Sequence, residues 1–202
     1  MSRGLGDVYK RQIQEIAAIC SVINGGYYYQ PHVVSKILNE DGDVIKDVQP
    51  VVTKQTVSSD VSALIRQYMG TVMESDGTGA AAKVDGYSMG GKTGTAQKYP
   101  REEKKYLVSF IGFAPLDDPQ VVVYVVVDEP NTEYQADSLY AQYIYKGVMT
   151  EILPYLNIFQ DEEVTDKANA KMTYLENLIN QQAESNRQSD STDDTTTAAP
   201  PE

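Results

Sequence analysis

Apolar positions along this chain follow two periods. Ile13, Ile16, Ala17, Cys20 and Ile23 recur at helical spacing, and Asn24-Gly25-Gly26 supplies residues tolerant of left-handed geometry where that helix should stop. Pro31–Leu38 reads as a strand, Glu40-Asp-Gly-Asp43 as a tight turn, and Val44–Val48 as the return strand of a hairpin. Ser58 or Ser59 can cap a second helix carrying Val61, Leu64, Ile65, Tyr68, Met69 and Val72. Asp76-Gly-Thr-Gly79 is a turn, followed by a short Ala-rich helix over Ala80–Lys83. Three strands follow, Ser88–Gln97, Tyr106–Phe113 and Val121–Asp128, with Asp117-Asp-Pro119 as a hairpin-length link between the last two. An amphipathic helix over Ala136–Leu153 closes the region. Strands in succession with helices outside them indicate an α+β fold, an antiparallel sheet flanked by helices. There is no internal repeat.

Charge divides the chain. Residues 160–202 hold ten acidic and three basic side chains, so seven of the twelve net negative charges lie there. Within this acidic tail Met172, Leu175, Leu178 and Ile179 predict a short helix, and residues 184–202, rich in Ser, Thr, Asp and Pro, are expected to be disordered. At the other end, residues 1–12 lack periodicity and resemble a translated sequencing-adapter peptide, so the natural N-terminal part is expected to be missing. The organisation expected is an adapter-like peptide over 1–12, a folded region over 13–159 and a tail over 160–202. A net charge of −12 argues against a nucleic-acid groove, which needs a basic surface. One cysteine excludes an internal disulfide framework, and one histidine gives no basis for a Ser–His–Asp triad or a His-rich metal centre. No run approaches eighteen apolar residues and no basic segment precedes a short apolar one, so neither a spanning helix nor an export signal is expected within these residues.

The chemistry concentrates in Gly86-Tyr-Ser-Met-Gly-Gly-Lys-Thr-Gly-Thr-Ala-Gln-Lys98. Gly86, Gly91, Lys92 and Thr93 match the phosphate-loop pattern G-x-x-x-x-G-K-[ST], and Asp128 ends a valine-rich strand as a Mg²⁺-binding carboxylate would in a nucleotidase. A phosphate loop, however, needs a buried strand before it and a helix after it, to aim backbone N–H groups at the anion. Ala82-Lys-Val-Asp-Gly86 contains one large apolar residue, and the following stretch carries Gly94 and Pro100 with no apolar stripe. The physical context of nucleotide binding is absent.

The alternative takes Lys92-Thr-Gly-Thr95 as a strand lining an acyl-transfer site, since K-T-G accompanies S-x-x-K and S-D-N in serine β-lactamases and penicillin-binding proteins. Gly90-Gly-Lys-Thr-Gly-Thr-Ala-Gln97 resembles the third motif of class B and bifunctional penicillin-binding proteins. Ile23-Asn-Gly-Gly-Tyr-Tyr-Tyr-Gln-Pro-His-Val-Val34 is similar to the segment before it in that family, and Phe110-Ile-Gly-Phe-Ala-Pro115 with the Val121–Asp128 strand to the strands after it. Order and spacing agree over residues 13–158, which resemble the C-terminal part of a penicillin-binding protein transpeptidase domain.

That resemblance implies a β-lactamase/transpeptidase-like fold whose N-terminal part is missing. It implies a peptidoglycan D,D-transpeptidase that cross-links stem peptides through a serine acyl-enzyme and is acylated by β-lactam antibiotics. Lys92 is then the fixed positive charge of the cleft. Thr93 and Thr95 hydroxyls bind the substrate carboxylate, the Thr95 N–H is an oxyanion donor, and Gly94 leaves room for the substrate chain. Cell-division or elongation complex proteins become possible partners, the extracytoplasmic face of the membrane the expected location, and no cofactor or metal is implied. Neither Ser-x-x-Lys nor Ser-x-Asn occurs in the chain, so the nucleophile is expected upstream of residue 13. Tyr155-Leu-Asn157 imitates a second-motif variant but follows Lys92, whereas the family has that motif upstream, and it reads as a helix end. His32 and Cys20 read as structural, Tyr27-Tyr-Tyr29 as a half-buried strand end, and Ser88 as a serine with no nearby base. A serine β-lactamase or β-lactam sensor, a phosphate-loop nucleotidase over Gly86–Thr93 and a non-catalytic interaction module remain as rival readings.

Overall fold

The computed structural model describes residues 11–164. The chain divides at Asp161, with residues 1–161 forming one unit and residues 162–202 another. The tail helix and the disordered segment expected beyond Val164 lie outside the described residues, as do residues 1–10 of the adapter-like peptide expected over 1–12, whose last residue, Gln12, opens the first helix.

Helix α1 (Gln12–Ile23) ends at Asn24, ahead of Gly25 and Gly26 at positive φ. Strands β1 (Tyr27–Tyr29) and β4 (Val52–Gln55) pair antiparallel, as do β2 (Lys36–Leu38) and β3 (Val44–Asp47) between them. Bonds from the Gln30 N–H to Val51 O (2.9 Å) and from the Val48 N–H to Ser35 O (2.8 Å) join both ladders into one two-stranded arm. Helix α2 (Ser59–Thr71) starts at Ser58, whose hydroxyl accepts from the Val61 N–H at 3.3 Å. After a 3-10 turn over Ala80–Ala82 come β5 (Gly90–Gln97), β6 (Tyr106–Ala114) and β7 (Val121–Asp128), one antiparallel sheet in the order β5-β6-β7. Helix α3 (Leu139–Tyr155) follows.

The core lies between this sheet and α3. Phe110 of β6 meets Tyr145 of α3 edge-on with ring centroids 4.8 Å apart, and Ala141, Met149 and Leu153 continue the helix face at 0% exposure. Valines 121, 123, 125 and 127 of β7 pack against the same cluster, as the strand's two-residue period requires. Gly90 and Gly91 have a packing reason. A side chain on either would run into the ring of Phe113 or Phe110 from the adjacent strand, so β5 opens with two glycines because two buried phenylalanines lie across it.

Two expectations need correction. The apolar stripes of α1 and α2 are only partly buried: Ile13 and Tyr68 are each 64% exposed, Ile23 of the α1 stripe is buried, and the other buried residues of the two helices are Ser21 and Ser62. The helices meet through polar groups instead. The Ser62 hydroxyl accepts from the Gly25 N–H at 2.9 Å, and the Arg66 guanidinium donates to Ile23 O at 2.7 Å, satisfying a carbonyl at the α1 C-terminus. The single strand expected over Pro31–Leu38 is only Lys36–Leu38, because Tyr27–Tyr29 pairs instead with β4, a strand that no alternation in the sequence announced. Tyr155-Leu-Asn157 is a helix terminator. Asn157 takes φ 57°, the Ile158 N–H donates to Leu153 O at 3.0 Å and the Asn157 N–H to Pro154 O at 3.0 Å, the two bonds of a Schellman cap.

Candidate functional site

Lys92, Thr93, Gly94 and Thr95 all lie on β5, the edge strand of the three-stranded sheet. The phase of that edge follows from one bond beyond the strand's end, where the Lys98 N–H donates to Lys105 O at 2.8 Å. The register runs without a shift from Gln97↔Tyr106 to Gly90↔Phe113. Antiparallel pairs alternate between hydrogen-bonded and non-hydrogen-bonded, so Ala96, Gly94 and Lys92 turn their backbone groups to β6. Thr95 and Thr93 turn theirs to the open edge. Two backbone N–H donors therefore point out of the sheet in its plane, two residues apart.

Side chains divide the other way. Thr93 and Thr95 share a sheet face with Phe110 and Val108, whereas Lys92 and Gly94 share the opposite face with Ile111 and Ser109. An extended ligand along this edge meets outward N–H groups in the plane, hydroxyls from one face and an ammonium from the other. Lys92 is exposed, and its Nζ donates to Thr93 O at 2.9 Å. Gly94 has a neighbour that sequence reading missed: a β-carbon there would strike the Ser109 hydroxyl directly across the ladder. A β-carbon there fits only if that hydroxyl rotates away.

Both ends of β5 are tied down. Before it, the Ser88 N–H and hydroxyl donate to the two oxygens of Asp161 at 2.6 and 2.5 Å, and the same hydroxyl accepts from the Leu116 N–H at 3.0 Å. Ser88 is thus a junction between the approach to β5, the β6–β7 turn and the segment after α3. After the strand, Lys98 Nζ reaches Asp128 at 2.8 Å and Glu129 at 2.5 Å, fastening the β5–β6 connection to the end of β7. Hydrogen bonds to Asp128 and then Glu129 raise the Lys98 pKa above its ordinary value. Neither anchor was legible locally, since Ser88 and Asp161 are 73 positions apart and Lys98 and Glu129 are 31 apart.

Other candidates fall away from this edge. His32 is exposed on the arm with its Nδ1 3.3 Å from Gln30 O. Cys20 is half-buried beside a surface groove between α1 and the base of the arm, and burial raises its thiol pKa. The phosphate-loop reading of Gly86–Thr93 fails on geometry. No strand leads into Gly86, and Lys92 and Thr93 sit inside a strand that continues to Gln97 with no helix behind it. Asp128 is engaged by Lys98. Among the described residues no three His, Cys, Asp or Glu side chains gather to hold a metal, and no helix is long and apolar enough to cross a membrane.

Comparison with known proteins identifies the family. The family described as penicillin binding protein transpeptidase domain matches residues 2–150. Stage V sporulation protein D of Bacillus subtilis is 40% identical over 150 residues, which cover 72% of this chain and 23% of that protein. A probable peptidoglycan D,D-transpeptidase, PenA of Neisseria flavescens, is 31% identical over 144 residues, covering 67% of this chain and 36% of that one. Among solved structures, the transpeptidase domain of penicillin-binding protein 3 from Burkholderia pseudomallei superposes with a TM-score of 0.62 at 27% identity, covering 74% of this chain and 44% of that chain. Penicillin-binding protein 3 from Mycobacterium tuberculosis, solved with ampicillin, shares the fold with a TM-score of 0.64 at 24% identity, covering 75% of this chain and 36% of that chain. The 202 residues thus span about a quarter to a third of the two curated relatives' lengths. With the β5 edge and these matches together, the chain belongs to the penicillin-binding protein transpeptidase family.

Proposed function

We propose that this chain supplies the Lys-Thr-Gly wall of a peptidoglycan D,D-transpeptidase. The observation that carries the reading is the phase of β5, which turns the Thr95 N–H outward, next to both threonine hydroxyls and the Lys92 ammonium. The reaction is serine acyl transfer. A serine oxygen attacks the carbonyl between the two D-alanines of a stem peptide, the C–N bond breaks, and D-alanine leaves with a proton on its amine. An amine of a neighbouring strand then attacks the ester, forms the cross-link and returns the serine hydroxyl.

On this edge the Thr95 N–H is one donor to the tetrahedral oxyanion. Thr93 and Thr95 hydroxyls hold the terminal carboxylate, and Lys92 adds a fixed positive charge that favours anionic substrate and charge development. A β-lactam offers the same carboxylate and a strained amide, so it is expected to acylate the same enzyme. None of the chain's serines has a lysine three residues on, so the nucleophile comes from another part of a longer polypeptide. Stem peptides lie outside the cytoplasmic membrane, which places the reaction there. Cell-division or elongation proteins are the partners this activity calls for. The test is to express the longer reading frame with its upstream residues and follow labelled penicillin. Covalent labelling that Lys92→Ala slows supports the proposal, and absence of labelling in a folded, longer protein defeats it.

A further inference from the structure

Three bonds join residues 86–88 to the segment after α3. The Asp161 N–H donates to Gly86 O at 3.0 Å, and the two Asp161 carboxylate oxygens accept from the Ser88 N–H and hydroxyl at 2.6 and 2.5 Å. Gly86, at φ 83°, packs against this segment so closely that a β-carbon there would strike the Gln160 side chain. The Ser88 hydroxyl fills both of its roles, because it donates to Asp161 and accepts from the Leu116 N–H at 3.0 Å.

Between Ser88 and Lys92 no side chain sets the direction in which the chain enters β5. Met89 is buried in the core, but its unbranched side chain turns about three bonds and fixes depth rather than direction. Gly90 and Gly91 follow, bare because Phe113 and Phe110 fill the space their side chains would need. The far end of the strand is held separately, by Lys98 against Asp128 and Glu129. Lys92 and Thr93 therefore lie nearer the Asp161 anchor, and Ala96 and Gln97 nearer the Lys98 anchor. Asp161 itself is exposed, so truncating its side chain opens no cavity, and its backbone bond to Gly86 keeps the segment seated.

We propose that Asp161 is a positioning residue for the acyl-transfer wall, which acts through Ser88 to hold the Lys92 end of β5 on β6. The ammonium then stays where charge develops in the reaction. The role in the reaction rests on the transpeptidase reading, whereas the hold on Lys92 does not. A displacement of about 1 Å, caused far from the reacting atoms, can slow a reaction by about 10².

Hydrogen exchange on the 202-residue chain tests the hold. Asp161→Ala should speed exchange of the inward-bonded Gly90 and Lys92 amides by about tenfold, the equivalent of one hydrogen bond to a charged group, and leave Ala96 unchanged. Asp161→Asn keeps one acceptor and should fall between. Labelled penicillin on the longer polypeptide tests the role. Asp161→Ala should slow acylation by about 10–10² while Lys92 is present, and by less than about twofold once Lys92 is alanine. Equal slowing in both backgrounds is what a general loss of stability gives, and it overturns the proposal. An exchange change that is uniform along β5, or absent at Lys92, overturns it too. Should the Asp161 variants not fold, Ser88→Ala removes the same hydroxyl contact and must show the same asymmetry along β5. A folded longer polypeptide that is not labelled with Asp161 and Lys92 both in place overturns the transpeptidase reading and the catalytic role with it. The asymmetric exchange pattern persists in that case and disappears when the hold itself is wrong.

Discussion

The Lys98 amide donates to the Lys105 carbonyl at 2.8 Å, and because the ladder behind it has no bulge, that bond determines which way Thr95 faces. Proline at Thr95 removes an outward N–H and the threonine hydroxyl but no ladder bond, whereas proline at Gly94 removes a ladder bond. In this chain Gly94→Pro should cost about 1–3 kcal/mol of stability, the penalty of leaving a ladder carbonyl unpaired, and Thr95→Pro much less, as read from urea unfolding. In a longer polypeptide that is acylated by penicillin, Thr95→Pro should nevertheless slow acylation by about 10²–10³, the usual loss on removing one oxyanion donor. Equal stabilities for the two variants would reverse the phase assigned to β5.

Lys92 tests the charge separately from the backbone. It is exposed and its Nζ reaches only its neighbour's carbonyl, at 2.9 Å, among the bonds described. Lys92→Ala should leave the melting temperature of this chain nearly unchanged, because exposed substitutions of this kind fall within about 0.5 kcal/mol. In the longer protein it should lower the acylation rate by about 10²–10³. Lys92→Arg should not restore the rate, since a planar guanidinium does not replace a compact ammonium.

Gly94 and Ser109 form a reciprocal pair across the ladder. Gly94→Ala should destabilise the chain by about 1–3 kcal/mol, because its β-carbon meets the Ser109 hydroxyl. Ser109→Gly in the same molecule should recover most of that loss, and a double-mutant cycle from chemical denaturation reads the coupling. Additive effects would remove Ser109 as the reason for the glycine.

Alkaline pH should weaken the fold through two groups. Burial raises the Tyr145 phenol above its ordinary value of 10.0, and hydrogen bonds to Asp128 and Glu129 raise the Lys98 ammonium above 10.5. Each group holds its proton more tightly folded than unfolded. Their stabilisation is therefore complete below the ordinary values and is lost as pH rises through the raised ones. The Tyr145 hydroxyl has no hydrogen-bond partner among the described residues, so Tyr145→Phe should raise stability at neutral pH by about 1 kcal/mol and flatten the alkaline decline. Thermal melts from pH 7 to 11 check both, and an unchanged decline in that variant would contradict the assignment.

What was legible in the sequence was what depends on local period and spacing. The valine run of β7, the apolar run of β6 and the Ser58 cap of α2 all write their geometry within a few residues. Lys92-Thr-Gly-Thr95 was readable because its flanking glycines and strands accompany it. The faces of α1 and α2 were legible only in part, because polar contacts among Gly25, Ser62 and Arg66 hold the helices together while Ile13 and Tyr68 of the apolar stripes stay exposed. The β1–β4 pairing and the Ser88–Asp161 junction also escaped, since each joins segments with no shared local pattern.

The most direct test of the Lys-Thr-Gly wall is intact-mass spectrometry after incubation with excess penicillin, on the 202-residue chain and on the longer polypeptide side by side. Acylation requires a serine activated by a lysine three residues on, which these residues do not contain. No adduct is expected on the 202-residue chain. One penicillin per molecule is expected on the longer polypeptide, formed about 10²–10³ more slowly after Lys92→Ala. A stoichiometric adduct on the 202-residue chain, or a longer polypeptide labelled equally fast without Lys92, would contradict the assignment of this chain as the wall that lacks the nucleophile.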